Sequence, residues 1–246
     1  MEDKILNKNN SILEKIRVFS GAQLKYIAFL SMLADHVNKA LIYPILTGEG
    51  VLQQISNVFD IFGRVAFPLF SFFLVEGFFK TKSRKKYLLY LLTFGVISEV
   101  PFDMFQSGVF FNPDSNNVLF SLALSLVTIW TIDMLKRKTG KISKIMWYPV
   151  SFIIVIIMSI IAVFLSVDYE YHAVLIGYFF YIFYEKPLLS AVFGYVSIFK
   201  EVWSILGFGL TLTYNGKRGK QYKILNYCFY PAHLLVLGLL RMYFNL

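Results

Sequence analysis

The sequence predicts an all-α fold, a polytopic integral membrane helix bundle, and three observations carry this prediction. Of the 246 residues, 57% are hydrophobic and only 16% are charged, which is too apolar for an ordinary soluble domain. The hydrophobic residues fall in runs, and most runs approach the length of about 20 residues that a helix needs to cross a bilayer. Lysine and arginine collect in the short gaps between these runs, a pattern typical of membrane topology signals.

The chain begins with a polar segment, residues 1–22, which we predict to be a cytosolic lead-in. Its apolar residues fit one face of a short helix lying on the membrane, and they are Ile12, Leu13, Ile16 and Phe19. The segment lacks the apolar core and the small-residue cleavage site of a signal peptide, so we expect no part of it to be removed. The rest of the chain, 23–246, is predicted to form a single transmembrane domain.

About nine apolar runs follow in this domain, and two of them are short enough to be tilted, re-entrant or a single misread pair. The runs cover residues 24–46, 58–79, 87–105, 118–135, 146–167, 171–184, 188–199, 202–214 and 225–244. Turn-forming and charged residues separate them, as in the segments TGEG and QSGVFFNPDSNN. Each run is therefore predicted to be one helix. Pro68 is expected to interrupt the second of them, because it removes a backbone hydrogen bond.

The placement of charge predicts the orientation of the chain. The cations lie mainly in the lead-in and in residues 80–86, 136–144 and 217–223. All four segments fall on one side if nine helices alternate. The loops expected on the other side are residues 47–57, 106–117 and 166–171, which contain no lysine or arginine, and the short gap at 200–201, which contains Lys200. The positive-inside rule then predicts the N-terminus inside and the C-terminus outside.

The charge, the cysteine count and the motifs of the sequence exclude several classes of function. Topology accounts for the net charge of +9, so we expect no nucleic-acid partner. The one cysteine, Cys228, excludes an internal disulfide and a cysteine metal site. The sequence contains no Walker motif, no dinucleotide-binding glycine pattern and no HExxH spacing, and we predict no metal.

The first apolar run, LKYIAFLSMLADHVNKALIYPIL, contains the strongest candidate site. Asp35 and His36 lie near its middle, eleven residues or about 16 Å from Lys25, and Asn38 follows closely. Ionisable groups at that depth are costly and usually functional. A neutral imidazole oriented by a carboxylate has the properties of a general base. The alternative is structural, with His36 hydrogen-bonded in the bundle and Asp35 paired with Lys39 one turn on.

Other polar residues inside the runs have both structural and functional interpretations. Arg64 either pairs with Asp60 at i, i+4 or faces a cavity and holds a carbonyl or an anion. Glu76 lies near the cytosolic end of its run, where snorkelling is the simple explanation. An acidic outer vestibule that attracts an amine would arise if Asp60, Glu99, Asp103 and Asp168 converge. His233 is expected to line a cytosolic entrance, and His172 to be interfacial.

Six blocks of sequence occur in an order that resembles the TraX family. The blocks are LKYIAFLSMLADHVN, FGRVAFPLFSFFLVEGFFKT, KYLLYLLTFGVISEVPFD, DYEYHAVL, and YNGKRG with FYPAHLL. The family takes its name from a conjugation protein that acetylates the N-terminus of pilin, and it is similar to a wider group of acyl-CoA-dependent membrane acyltransferases. The resemblance implies that acetyl-CoA is a co-substrate and that an amine or hydroxyl on the other face accepts the acetyl group.

Carried onto this chain, the resemblance points first to His36 as the catalytic base, with Asp35 beside it. Arg64 is the expected oxyanion or acceptor contact. The residues expected to bind the acceptor are Asn38, Glu76, Glu99, Asp168 and His233. The cations expected to bind the phosphates of acetyl-CoA are Arg84, Lys85, Lys217 and Arg218.

The same reading predicts a multi-pass protein of a bacterial cell membrane. Its expected partners are membrane lipids and a peptide, glycan or lipid acceptor, such as the pilin N-terminus, and a homodimer is left open. Two rival functions also remain open. In the first, Asp35, His36 and Glu76 form the proton relay of a small-molecule transporter, with runs 188–199 and 202–214 as broken helices. In the second, the chain is a helper subunit that binds a partner through its aromatic spans.

Overall fold

The structure of the chain, a computed structural model, describes residues 14–138 and 144–246. In these two ranges every regular secondary-structure element is a helix. Two isolated β-bridges and no strand occur within them, so the all-α prediction is confirmed. Part of the predicted amphipathic face, Ile12 and Leu13, lies outside the described residues, as does most of the basic segment 136–144.

From Gly21 to Phe244, ten α-helices follow one another. They are α1 (Gly21–Val37), α2 (Val51–Gly63), α3 (Ala66–Lys80), α4 (Arg84–Ser107), α5 (Val118–Lys138), α6 (Lys144–Phe164), α7 (Glu170–Ile182), α8 (Pro187–Val196), α9 (Ser204–Thr211) and α10 (Lys223–Phe244). Helix α1 continues into a π-helical turn, Asn38–Ile42, and a 3-10 turn, Tyr43–Ile45. Every apolar run predicted from the sequence therefore contains a helix.

Within the described ranges, five helical segments are long and apolar enough to cross a membrane. They are Val51–Lys80, Arg84–Ser107, Val118–Arg137, Met146–Phe164 and Ile224–Phe244. Helices α1, α7, α8 and α9 have 17, 13, 10 and 8 residues. At about 1.5 Å per residue, the last three reach at most about 20 Å, less than the hydrocarbon thickness of about 30 Å. A count of nine spans and their orientation therefore stay predictions.

The second predicted run, 58–79, is interrupted between α2 and α3 at Arg64 and Val65. Pro68 lies in the first turn of α3 and has no N–H to donate to the carbonyl of Arg64. A proline is tolerated there because the first N–H groups of a helix lack partners inside the helix. The interruption thus lies one turn before the proline, whereas the sequence analysis predicted it at the proline itself.

Helix α3 is the central helix of the bundle. Nine of its 15 residues are buried, and it contacts α1, α5, α7 and α9. On one side it joins the larger core, to which α5, α6, α7 and α8 contribute. On the other side α4 packs along α10, and α1 closes a smaller core against them. The two ends of α3 therefore lie at opposite ends of the packed interior.

Gly238 marks a close approach of α10 to α4. An added Cβ there would lie 2.7 Å from the Cβ of Met104 and 2.9 Å from the backbone nitrogen of Phe105. Because a packed helix must shift to make room, we predict that Gly238→Ala lowers the free energy of unfolding in detergent by about 1–3 kcal/mol.

Gly209→Ala in α9 is the matched control, since an added Cβ there meets nothing within 4 Å. We expect this variant to be as stable as the parent or slightly more stable, because alanine favours helix over glycine. Equal losses of stability in the two variants would contradict the close approach at Gly238.

Candidate active site

His36 forms a hydrogen bond with a second histidine, His233, which lies 197 positions later in the chain. Nδ1 of His36 is 2.7 Å from Nε2 of His233, and the two rings are nearly parallel, with an interplanar angle of 2°. Nδ1 of His233 lies 2.7 Å from the carbonyl oxygen of Phe229 in the previous turn of α10. The pair joins α1 to α10, and only 16% of the His36 side chain and 9% of His233 are exposed.

This network assigns the tautomers of both imidazoles. A carbonyl oxygen only accepts hydrogen bonds, so Nδ1 of His233 carries the proton and its Nε2 is the acceptor. Nδ1 of His36 must then be the donor. In neutral His36, Nε2 is left with a free lone pair, which is what a general base needs.

Asp35 contacts the other side of His36 without orienting it. Its Oδ2 is 3.8 Å from Nε2 of His36, too long for a hydrogen bond, and 2.8 Å from Nζ of Lys39. The structural pairing considered from the sequence is therefore present. Sequence reasoning placed His233 at a cytosolic entrance, whereas in the structure His233 is the group that orients His36.

Asn38 and Arg64 are also held by the surrounding helices. Nδ2 of Asn38, in the π-helical turn, donates to the carbonyl oxygen of Ser56 in α2 at 3.0 Å. Arg64 binds two carboxylates, with Nη2 at 2.7 Å from Asp60 and Nε at 3.1 Å from Glu201. The Asp60 pair follows from i, i+4 spacing, while no local signal points to Glu201.

The acidic residues predicted for the outer vestibule each have a local partner. Oε2 of Glu99 accepts a hydrogen bond from the side chain of Asn117. Oδ2 of Asp103, one turn further along α4, accepts from the backbone of Asn112 at 2.9 Å. Asp168, in the loop after α6, accepts from the backbone of Tyr169 at 3.0 Å. Their role in acceptor binding stays a prediction.

Glu76 lies at the opposite end of α3 from Arg64, twelve residues or about 18 Å along the helix. Its carboxylate forms an ion pair with Lys80 and accepts a hydrogen bond from the hydroxyl of Tyr184 at 2.7 Å. Glu76 also lines a cavity with Lys25, which lies eleven residues or about 16 Å before His36 on α1. Glu76 is therefore distant from the histidine pair, with which the transporter hypothesis groups it.

A cavity of about 500 Å³ at this end of α3 is rich in cations, and we call it the basic cavity. The cations that line it are Lys25, Lys80, Lys82, Lys86 and Arg218. Of the cations predicted to bind phosphate, Arg218 lies in this lining, while Lys85 and Lys217 are exposed outside it. Arg84 instead forms an ion pair with Asp133 at 2.6 Å.

A second cavity, of about 280 Å³, continues from the basic cavity towards the histidine pair, and we call it the aromatic cavity. The residues that line both are Lys25, Phe73, Tyr87, Tyr90, Arg218, Gln221 and Tyr227. Phe29 and Tyr230 belong only to the aromatic cavity, and the ring of Tyr230 lies 5.7 Å from that of His233. One aromatic layer therefore separates this cavity from the histidine pair.

Comparison with known proteins supports the resemblance seen in the sequence blocks. A family model described as TraX protein matches residues 20–241. The chain is also 29% identical over 260 residues to the probable fimbrial assembly protein FimC, serogroup H1, of Dichelobacter nodosus. That match covers 92% of this chain and 97% of the relative. No solved structure matches the chain. The matched range includes His36, Arg64 and His233.

The tautomer assignment predicts a specific NMR signature. With ¹⁵N-labelled histidine, we expect His36 to show a protonated Nδ1 and an unprotonated Nε2 at neutral pH, because His233 accepts from Nδ1. The chain has three histidines, so a His172→Gln sample simplifies the assignment. In a His233→Leu variant, His36 should lose its preference for the Nδ1-protonated tautomer. A protonated Nε2 on His36 in the unmodified chain would refute the assignment.

Proposed function

The chain belongs to the TraX family, and on that premise we propose that it is an integral membrane acetyltransferase. In this proposal an acetyl group moves from cytosolic acetyl-CoA to an amine or hydroxyl group of an acceptor. The observation that carries the proposal is the hydrogen bond between His36 and His233, because it leaves Nε2 of His36 unprotonated inside an apolar bundle. A buried, oriented base is the group that acyl transfer requires.

The proposed reaction is a direct transfer. The amine nitrogen or hydroxyl oxygen of the acceptor attacks the thioester carbonyl carbon, and Nε2 of His36 takes the proton of the attacking group. The tetrahedral intermediate collapses by breaking the carbon–sulfur bond. The thiol of CoA leaves as the proton returns from His36 to sulfur, so that the products are the acetylated acceptor and CoA.

His233 is a positioning residue in this mechanism, since it holds His36 with Nε2 free. Arg64 is proposed to stabilise the negative charge that develops on the thioester oxygen. Its guanidinium has five N–H donors, and the bonds to Asp60 and Glu201 leave others available. Asp35 and Asn38 are proposed to shape the acceptor side of the same site.

We further propose a bacterial multi-pass membrane protein with about nine spans, a cytosolic N-terminus and an external C-terminus, because the cations are placed mainly on one side. The relative from Dichelobacter nodosus is named as a probable fimbrial assembly protein. That name makes a pilin subunit the acceptor to test first, ahead of another peptide, a glycan or a lipid.

The transporter hypothesis receives less support from the geometry. It requires a proton relay through Asp35, His36 and Glu76, but Glu76 lines the basic cavity with Lys25, which lies about 16 Å along α1 from His36. Glu76 is also engaged by Lys80 and Tyr184. Proton-coupled uptake in liposomes that disappears in His36→Ala would favour it over acetyl transfer.

We predict that His36→Ala abolishes transfer while the protein still folds. Loss of the base should lower the rate by roughly 100-fold or more. The assay measures CoA release from acetyl-CoA in proteoliposomes with a peptide that has a free N-terminal amine. His172→Ala is the control, because His172 lies on α7 and stacks on Tyr171. Retained activity in folded His36→Ala would contradict the assignment of the base.

We also predict that His233→Leu and His233→Gln differ. Leucine cannot accept from Nδ1 of His36, so the tautomer is no longer fixed and kcat should fall about tenfold or more, with little change in KM. The glutamine side-chain oxygen can accept that hydrogen bond and should restore part of kcat. Equal activities in the two variants would show that His233 contributes packing alone.

A further inference from the structure

We infer that the basic cavity and the aromatic cavity together bind the phosphopantetheine thioester of the acyl donor, with phosphate in the former and the uncharged arm in the latter. The inference rests on the proposed function, and it names residues for the donor that differ from the sequence prediction except at Arg218. Three observations support it: the charge at the mouth, the rigidity of the loop that carries Arg218, and the shape and chemistry of the inner walls.

The charge balance of the basic cavity favours an anionic ligand. Five cations line it, and the one carboxylate in the lining, Glu76, is engaged by Lys80 and Tyr184. In the part of the chain that the structure describes, Lys25, Lys82, Lys86 and Arg218 form no ion pair. Grouped like charges repel one another, and phosphate oxygens relieve that repulsion through charge-assisted hydrogen bonds.

The loop that carries Arg218 is fixed against the start of α1. The backbone N–H groups of Gly21 and Ala22 donate to the carbonyl oxygens of Lys217 and Arg218 at 2.8 and 2.9 Å. Gly219 has a φ of +72° and packs where a Cβ would lie 2.7 Å from Oγ of Ser20. The backbone of Arg218 is therefore held in place before any ligand arrives, which lowers the entropic cost of binding.

Inside the mouth, the wall changes from cationic to aromatic. Tyr87, Tyr90 and Tyr227 line both cavities, and Phe94 continues the wall inwards. Oδ1 of Asn226 is buried in this lining and has no hydrogen-bond partner among the described residues. A phosphopantetheine arm has two amide N–H groups, so it can supply the missing donor while its carbon chain packs on the rings.

The two cavities extend along α1 towards the histidine pair. Lys25 and His36 are eleven residues apart on α1, about 16 Å along its axis. Phe29, at the inner end of the aromatic cavity, stacks on Phe229 at 4.7 Å, and Phe229 stacks on His233 at 4.9 Å. A phosphate held at Lys25 and Arg218 therefore directs the thioester end of an extended arm towards His36.

Phosphopantetheine reaches such a site either as free CoA or on a carrier protein. The chemistry of the arm and its phosphate is shared, whereas CoA adds an adenosine with further phosphates. The experiment therefore compares CoA, dephospho-CoA, pantetheine and a phosphopantetheine-loaded acyl carrier protein. Binding of each probe to the full-length protein in detergent is measured by calorimetry.

Two neighbouring pairs of cations supply matched variants with the same change of charge. Arg218 and Lys86 line the basic cavity, whereas Lys217 and Lys85 precede them in sequence and lie outside it. We expect Arg218→Gln and Lys86→Gln to raise the Kd for the phosphorylated probe tenfold or more. Lys217→Gln and Lys85→Gln should change the Kd less than twofold, and pantetheine should bind at least a hundredfold more weakly than CoA or the carrier protein. Unfolding temperatures in detergent verify that the variants fold.

The outcomes separate this inference from the proposed function. Equal effects of the lining and outside variants, or equal binding of pantetheine and CoA, would overturn the donor site and leave the chemistry of His36 untouched. If the Kd rises in the variants of the lining residues alone and binding persists in His36→Ala, the donor site is supported, even if no acetyl transfer is found. A tighter Kd for the loaded carrier protein than for CoA supports the site and identifies the carrier as the source.

Discussion

The hydrogen bond from Nδ1 of His36 to Nε2 of His233 connects α1 with α10 across the smaller core of the bundle. Both imidazoles are largely buried, and a buried polar group without a partner is costly. The carbonyl oxygen of Phe229 completes the network, so each protonated ring nitrogen has an acceptor. The chemistry proposed for this chain depends on that satisfied network, because it leaves one lone pair, on His36, without a partner inside the site.

The basic cavity and Arg64 lie at opposite ends of α3. Arg64 and its carboxylates lie before the first turn of this helix, and Glu76 with Lys80 lies at its last turns. Between them most residues of the helix are buried, largely among apolar side chains. In the donor site that we propose, such an apolar interior would keep the phosphates at one end, because a charge is costly to desolvate, and would let the uncharged arm pass inwards.

Much of the fold follows from the sequence because it depends on local patterns. Apolar runs predict helices, and the spacing of i, i+4 correctly suggests the pairs Asp35–Lys39 and Asp60–Arg64. The contacts that the sequence did not predict are tertiary: His36 with His233, Arg64 with Glu201 and Arg84 with Asp133. A single sequence contains no signal for these pairings, since their distance along the chain exceeds any helical or turn period.

Gly63 stands in the block FGRVAFPLF, and its place there has a steric cause. A Cβ at this position would lie 2.6 Å from the Cβ of Asp35, so α1 and α2 meet through the missing side chain. Relatives that keep the acidic residue are therefore expected to keep this glycine, whatever acceptor they use. A glycine at this position in a distant relative would therefore indicate that the two helices cross in the same way. It would not indicate shared chemistry, for which the two histidines are the residues to compare.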